Sequence, residues 1–283
     1  MNTKIKEKTV DFARHDRATA GAPLFRPLTK GPRPTGLKVY HEYDNTKLMF
    51  TSFEYLDSRD QTILLAIIGL AGIESGHISS DSSGEMGKML WAGLSPENAA
   101  LGENGAVVQT TMYQLLKVAG MDDSKKVYDR VRDILYRLSQ VGCRVQTDDW
   151  DWSMRFLSYA THKDGKLVIA LNARFAQAIA DGSTHARISL DERRKLTGDI
   201  AHLTHSWLNV TVRAGGTFKI GLDKLALKVW GIEPQLDTTR RNRRSKLVAA
   251  LQEIEALNGW KVEFVGRGAQ CVAHITRPRI HHL

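Results

Sequence analysis

The sequence predicts an α+β protein: two winged-helix (winged helix-turn-helix) domains in tandem, preceded by a flexible basic N-terminal arm. Three observations predict it. The first is the stretch Asp237 to Leu257, which reads as one long helix. Its C-terminal part carries Leu247, Leu251 and Ile254 at i, i+4, i+7 with Val248 beside them, an apolar stripe for a core. Its N-terminal part carries Arg240, Arg241, Arg243, Arg244 and Lys246, interleaved with Thr238, Thr239 and Asn242. Cations at a helix N-terminus oppose the macrodipole, so this cluster answers to a polyanionic partner rather than to the helix itself. Asp237 or Thr238 is the expected N-cap, since a short side-chain oxygen satisfies a free first-turn amide.

The second observation is an echo of that pattern earlier in the chain. Gln114 to Val145 and Lys224 to Val262 each read as a short helix ending at glycine (Gly120, Gly231), a turn, then a longer helix with a basic start. Each then reaches a second glycine (Gly142, Gly259) and a β-rich tail. All four glycines fit the position just past a helix end, where a left-handed backbone suits glycine. Helix, turn, basic helix and strand pair is the order of a winged helix-turn-helix. The third observation is charge. The net +9 and pI near 9.5 call for an acidic partner, nucleic acid before anionic membrane.

Taken in order, residues 1–36 form the expected arm. Pro23, Pro27, Pro32 and Pro34 with Gly21, Gly31 and Gly36 interrupt regular structure. Eight cationic side chains there face three carboxylates, a net +5, so over half of the net charge lies in this segment. Such an arm lies along phosphates or in a minor groove, or it is a solubilising tail. Leu24 and Phe25 are an apolar plug for the first domain. That domain is expected over 37–182. It opens with a hairpin, Leu37 to Tyr43 and Leu48 to Phe53 around Asp44-Asn45. A buried helix follows from about Asp57 through Ile63, Leu64, Ile67 and Ile68, with Ser58 as a possible cap. A Ser/Gly-rich insert over about 76–105 is expected to be partly ordered. Its Gly84-Glu-Met-Gly87-Lys88-Met89 lacks the spacing and hydroxyl of a phosphate-binding loop, which excludes ATP binding there.

The first helix-turn-helix spans about Thr110 to Val141. Val127, Val131, Ile134, Leu135 and Leu138 form its buried stripe. Strands are expected over Arg144 to Gln146, Met154 to Thr161 and Leu167 to Leu171. The turn holding Asp148, Asp149 and Asp151 beside Trp150 and Trp152 reads as a wing tip. A short helix, Ala173 to Ala180, links the halves. The second domain, over 183–283, is expected to be the main DNA reader. It opens with Arg187 to Ser189 and a helix from about Asp191 to Val212. His202 and His205 on that helix read as core or interface histidines, since no cysteine or carboxylate stands at zinc spacing. After Phe218 to Ile220 and the second helix-turn-helix, a hairpin of Trp260 to Val265 and Gln270 to Thr276 closes the chain. Arg267 sits at its tip. Arg277, Arg279, His281 and His282 form a solvated or phosphate-facing tail. Cys143 and Cys271 read as reduced core thiols of a cytoplasmic protein. The longest apolar run, Ile63 to Ala71, is too short to span a bilayer, and no secretory signal is visible.

These residues resemble those of a known family, the RepC-type replication initiators of IncQ-like broad-host-range plasmids. The resemblance rests on Leu24-Phe25-Arg26, on Tyr159-Ala160, on Gly165-Lys-Leu-Val-Ile-Ala-Leu-Asn172, and on Ala176-Gln177-Ala178. It continues in His185-Ala-Arg-Ile-Ser-Leu-Asp-Glu192, Arg241 to Leu251, Gly259-Trp260 and Ile275-Thr-Arg-Pro278. It implies binding to direct repeats (iterons) in double-stranded DNA at a plasmid origin, and melting of a neighbouring AT-rich segment. It further implies loading of the plasmid's helicase and primase, possible self-association that limits copy number by pairing origins, and a bacterial cytoplasmic location. No catalytic residues, cofactor or metal are implied.

The candidate DNA contacts follow. In the second domain they are Thr238, Thr239, Arg240, Arg241, Asn242, Arg243, Arg244 and Lys246, because arginine pairs bidentately with guanine and asparagine with adenine. In the first they are Ser124, Lys125, Lys126 and Arg130, and at the closing hairpin Arg267. Two other readings stand beside this one. A dimeric winged-helix transcriptional regulator would bind a palindrome and melt nothing. A metal-dependent nuclease would use the Asp148/Asp149/Asp151 cluster, or a nucleophile such as Tyr128.

Overall fold

The computed structural model describes residues 10–180 and 185–279. Within them, the segment expected to be a flexible arm is folded. Strand β1 (Phe12–Asp16) pairs antiparallel with the distant β11 (His185–Ser189), with Phe12 opposite Ser189. Helix α1 (Arg17–Gly21) follows at once, because the Asp16 carboxylate accepts a hydrogen bond from the Thr19 amide at 2.8 Å. The proline–glycine punctuation keeps later regular structure out. The apolar residues Val10, Ala13, Ala18, Leu24 and Phe25 are nevertheless buried and hold the segment down. Residues 1–9 lie outside the described residues.

The chain then forms β2 (Thr35–Tyr43), β3 (Thr46–Glu54) and α2 (Ser58–Ala71). Asp57 caps α2 in a capping box with Asp60. The carboxylate of Asp60 is buried and accepts from Arg33 at 2.9 Å and from Arg137 at 2.8 Å. The insert holds β4 (Gly76–Ile78), α3 (Glu85–Gly93) and the two-residue β5 (Glu97–Asn98). Next come β6 (Gly105–Thr111), α4 (Met112–Ala119), α5 (Lys125–Ser139), β7 (Gly142–Gln146) and β8 (Asp151–Arg155). The first half ends with β9 (Leu157–Thr161), β10 (Lys166–Leu171) and α6 (Ala173–Ala180).

After β11, the single helix expected over 191–212 is two: α7 (Leu190–Lys195) and α8 (Asp199–Thr211), broken at Leu196 to Gly198. Then follow β12 (Thr217–Gly221), α9 (Leu222–Trp230), α10 (Asp237–Glu255), β13 (Lys261–Val265) and β14 (Val272–Thr276).

The echo in the sequence is a repeated topology. In the second half, β12, α9, α10, β13 and β14 form a three-stranded sheet in the order β12-β14-β13 beneath two helices. In the first half, β6, α4, α5, β9 and β10 give the same order, β6-β10-β9, with β4 added at the edge. Ile169 on the central strand faces Val108 and Tyr159, as Ile275 faces Phe218 and Val262. Helix α2 packs on α4 and α5 as α8 packs on α9 and α10.

This order corrects the expected wing of the first half. Its counterpart of the β13–β14 hairpin is β9–β10, turning at His162 to Gly165. The hairpin β7–β8, with the acidic turn, is an insertion that completes another sheet, β2-β3-β7-β8-β5. Gly142 is likewise not a helix stop. It begins β7 opposite Thr51, whereas Gly120 and Gly231 end α4 and α9 at φ 68° and 69°.

The halves share one hydrophobic core, and α2 and α8 are stitched together by Arg193. Its guanidinium donates to Ser58 O at 3.0 Å, Thr62 Oγ1 at 2.9 Å, Ser206 Oγ at 2.7 Å and His202 O at 2.9 Å. Among the described residues no carboxylate contacts it, and desolvation pulls it down to about 9 against the charge of Asp199. Ser58 also donates to Asp199 at 2.6 Å. The expected boundary near 182 falls among residues 181–184, outside the described residues. Cys143, in β7, and Cys271, just before β14, are both free and buried, and burial pushes the Cys143 thiol up to about 12.

Candidate nucleic-acid interface

Helix α10 begins at Asp237, and its N-cap is Leu236, with no side-chain cap. Neither Asp237 nor Thr238 takes that place, and Asp237 lies in the first turn. Burial divides the basic cluster into two faces. Thr238, Arg241, Asn242, Ser245 and Lys246 are exposed, at the i, i+3, i+4, i+7, i+8 spacing of one stripe. Thr239 and Arg240 flank it half-buried, with Arg240 3.8 Å from Asp237.

Arg243 and Arg244 point away from this stripe, each toward a partner within the fold. Arg243 is buried. It donates to Ile232 O at 2.6 Å and lies over the Trp230 ring at 5.2 Å, clamping the turn before α10. The sequence held a signal for this: Arg243 precedes Leu247 by four residues and is in phase with the apolar stripe. Arg244 makes a two-pronged contact with Asp223, both arms at 2.7 Å, tying α10 to the start of α9. That hydrogen-bonded pairing holds the Asp223 carboxyl below its usual range.

On α5, Ser124, Lys125 and Lys126 are exposed and Arg130 is half-buried. Ser124 precedes the helix without a side-chain cap bond. Further along, Arg132 is taken up by Asp129 at 2.6 Å. Tyr128 bonds Asp123, which raises its phenol above the usual tyrosine range and away from a nucleophilic phenolate. The hairpin turns carry cations as well. Arg267 is exposed between Gly266 and Gly268, both at positive φ. In the β9–β10 turn Lys163 and Lys166 are exposed, and Lys166 pairs with Asp164 at 3.1 Å. Lys163 has no counterpart in the candidate set drawn from the sequence. The displaced wing assignment hid it.

The acidic turn is not gathered into a site. Asp151 accepts from Arg144 and from Gln146, and among the described residues no group of carboxylates, histidines and cysteines could hold a metal. His205 is fully buried and bonds Glu192 at 2.8 Å, while His202 bonds Arg193 O at 3.1 Å. No described helix is long and apolar enough to cross a membrane.

A family profile decides what this repeated, basic architecture belongs to: that of Replication protein C (RepC) matches residues 7–279, nearly the whole chain. The chain belongs to the Replication protein C family. Its role is therefore in DNA replication. No curated protein matches this RepC-family chain in sequence. Among solved structures it resembles domains 2 and 3 of RctB, at 13% identity and a TM-score of 0.57, over 92% of this chain and 98% of that one. A second structure of RctB domains 2–3 gives 12% identity and a TM-score of 0.52, over 93% and 97%. At such identities the likeness is one of fold.

Proposed function

We propose that this RepC-family chain is a replication initiator of an IncQ-like plasmid, built from two winged-helix units that read direct repeats at the origin. The carrying observation is the repeated β–α–α–β–β topology, which gives each half a basic, exposed helix start and a hairpin with a cation at its turn. In such units the second helix of the pair enters a major groove and the hairpin follows the backbone. Arg241, Asn242 and Lys246 on α10, flanked by Thr238, Thr239 and Arg240, read bases or phosphates in one half. Ser124, Lys125, Lys126 and Arg130 do so in the other, and Arg267 contacts phosphate. Most of the affinity comes from counterion release and is steeply salt-dependent.

Two reading helices on one rigid chain suit a long asymmetric repeat bound by a monomer. Melting of the adjacent AT-rich segment draws on strain in flexible steps when several repeats are occupied. Helicase and primase loading, and pairing of origins by self-association, complete the role. The chain acts by binding and positioning, not by catalysis, and in the bacterial cytoplasm.

The test is binding to a repeat-bearing origin fragment against a scrambled one, across salt, for wild type, Arg241→Ala and Lys126→Ala. The proposal expects wild type to prefer the repeats and each variant to lose about 1–3 kcal/mol if its residue reads a base, or to lower the salt slope by about 1 if it contacts phosphate. Equal binding to both fragments, with one slope for all three proteins, would contradict it.

A further inference from the structure

A second basic surface lies away from the starts of α5 and α10. It is a groove of about 1080 Å³ between the tip of the β2–β3 hairpin and the α8–α9 side of the second half. Arg17, Arg187, Arg213, Lys228 and Arg277 line it, and Asp44 is the one carboxylate among the lining residues. Among the described residues none of those five cations is in an ion pair. Arg277, on the inner side, donates to Asn209 O at 2.6 Å, Val212 O at 2.9 Å and Arg187 O at 2.9 Å, all neutral acceptors. Arg17 donates to His185 O at 3.1 Å, and Arg187 stacks on Phe12 at 3.8 Å, so both guanidiniums are held in place.

The cations crowd one another. Arg277 is pulled down to about 10, chiefly by burial, with Arg17 and Arg187 adding to the effect against Glu192. His41 is lowered by burial and by Lys228, against Asp16. Its Nε2 is buried and has no hydrogen-bond partner among the described residues. Like charges that outnumber the carboxylates around them are relieved by binding an anion.

The groove also carries aromatic rings. Tyr43 is 40% exposed at the end of β2, and Trp207 stands half-buried on α8. A duplex hides its base faces in its own stack, so such rings gain little from it. Cations along a groove with aromatic platforms between them suit unstacked bases on a phosphodiester backbone. We infer that this groove binds single-stranded nucleic acid. The inference rests on the replication reading only for the source of the strand, an opened origin. None of the residues assigned to duplex reading lines the groove, so a chain holding its repeats can take up a strand as well.

The test uses the full chain and a fluorescent oligothymidine, with binding followed by anisotropy across salt. Arg213→Glu and Tyr43→Ala are the variants, both at exposed positions, with circular dichroism to check folding. Wild type is expected to bind the oligothymidine. Arg213→Glu should weaken it about tenfold with a shallower salt slope, and Tyr43→Ala about tenfold or more. Both should leave binding to the duplex repeats unchanged. Three results would overturn the inference: no wild-type binding, equal losses on duplex and single strand, or a loss with Arg213→Glu but none with Tyr43→Ala. The last would mark a plain polyanion site, such as one for an acidic peptide. If the repeats are not preferred over scrambled duplex while both variants still lose the single strand, the groove stands and the origin reading falls.

Discussion

The guanidinium of Arg26 lies against Gly231, so closely that a β-carbon on the glycine would stand 2.7 Å from Arg26 Nε. The same relationship recurs in the other half, where a β-carbon on Gly120 would stand 2.7 Å from Arg194 Cγ. Each glycine ends the first helix of its pair at a left-handed φ, and each is covered by an arginine from another part of the chain. Arg194 also donates to Val118 O at 3.3 Å and Val10 O at 3.0 Å. The N-terminal segment and α7 thus brace the two helical turns.

Gly231→Ala is expected to destabilise the fold by about 1–3 kcal/mol, through left-handed strain and the collision with Arg26. Urea unfolding measures it. In the double variant with Arg26→Ala the losses should be less than additive, because the collision is gone. Full additivity would show that Arg26 and Gly231 do not press on each other.

Arg243 and Arg241 should separate stability from recognition. Arg243→Ala removes a buried clamp on Ile232 and Trp230, and is expected to lower stability by about 1–3 kcal/mol. The folded protein should keep its preference for the repeats. Arg241→Ala should leave the unfolding midpoint unchanged and weaken binding. The two measurements together decide which arginine reads DNA.

The hairpins make a second contrast. Lys163→Ala, at the β9–β10 turn, should weaken duplex binding uniformly across sequences and lower the salt slope by about 1, as expected of a phosphate contact. Asp149→Ala, in the inserted β7–β8 hairpin, should change neither. The reverse result would restore the acidic turn as the wing.

Stability should fall as the pH drops from about 6.5 to about 4. Burial lowers His15 and His202 to about 4 and also lowers His205, so the folded chain keeps them neutral where the unfolded chain protonates them. Their contribution is full above the unfolded value and is lost as protons bind on unfolding. Asp60, raised to about 6 by burial and Asp57, works against this over part of the window, as one group against these three and the likewise lowered His41. Urea midpoints from pH 7 to pH 4.5 test the trend, and His15→Gln should make it shallower.

The repeated unit was legible because both of its signals are local. Gly120 and Gly231 mark helix ends by backbone conformation, and the apolar stripes of α5 and α10 mark the buried faces by periodicity. The ordered N-terminal segment was not legible. Its strand partner, β11, lies in the second half of the chain, and proline and glycine there speak only of local breaks. The β7–β8 insertion was missed for a related reason. Met154 to Thr161 reads as one β-rich run, and only pairing to β7 on one side and β10 on the other divides it at Phe156. Within the candidate site, composition found the basic helix. It could not separate Arg241, facing solvent, from Arg243, facing the core, until the phase of Leu247 and Leu251 was applied to both.

The proposed function has two units of one chain reading one stretch of duplex. Hydroxyl-radical footprinting on a single repeat tests it most directly, with wild type, Arg241→Ala and Lys126→Ala. Wild type should protect two patches separated by about one helical turn, 10–10.5 base pairs. Arg241→Ala should thin one patch and Lys126→Ala the other. A single patch, or loss of the same patch in both variants, would contradict the account.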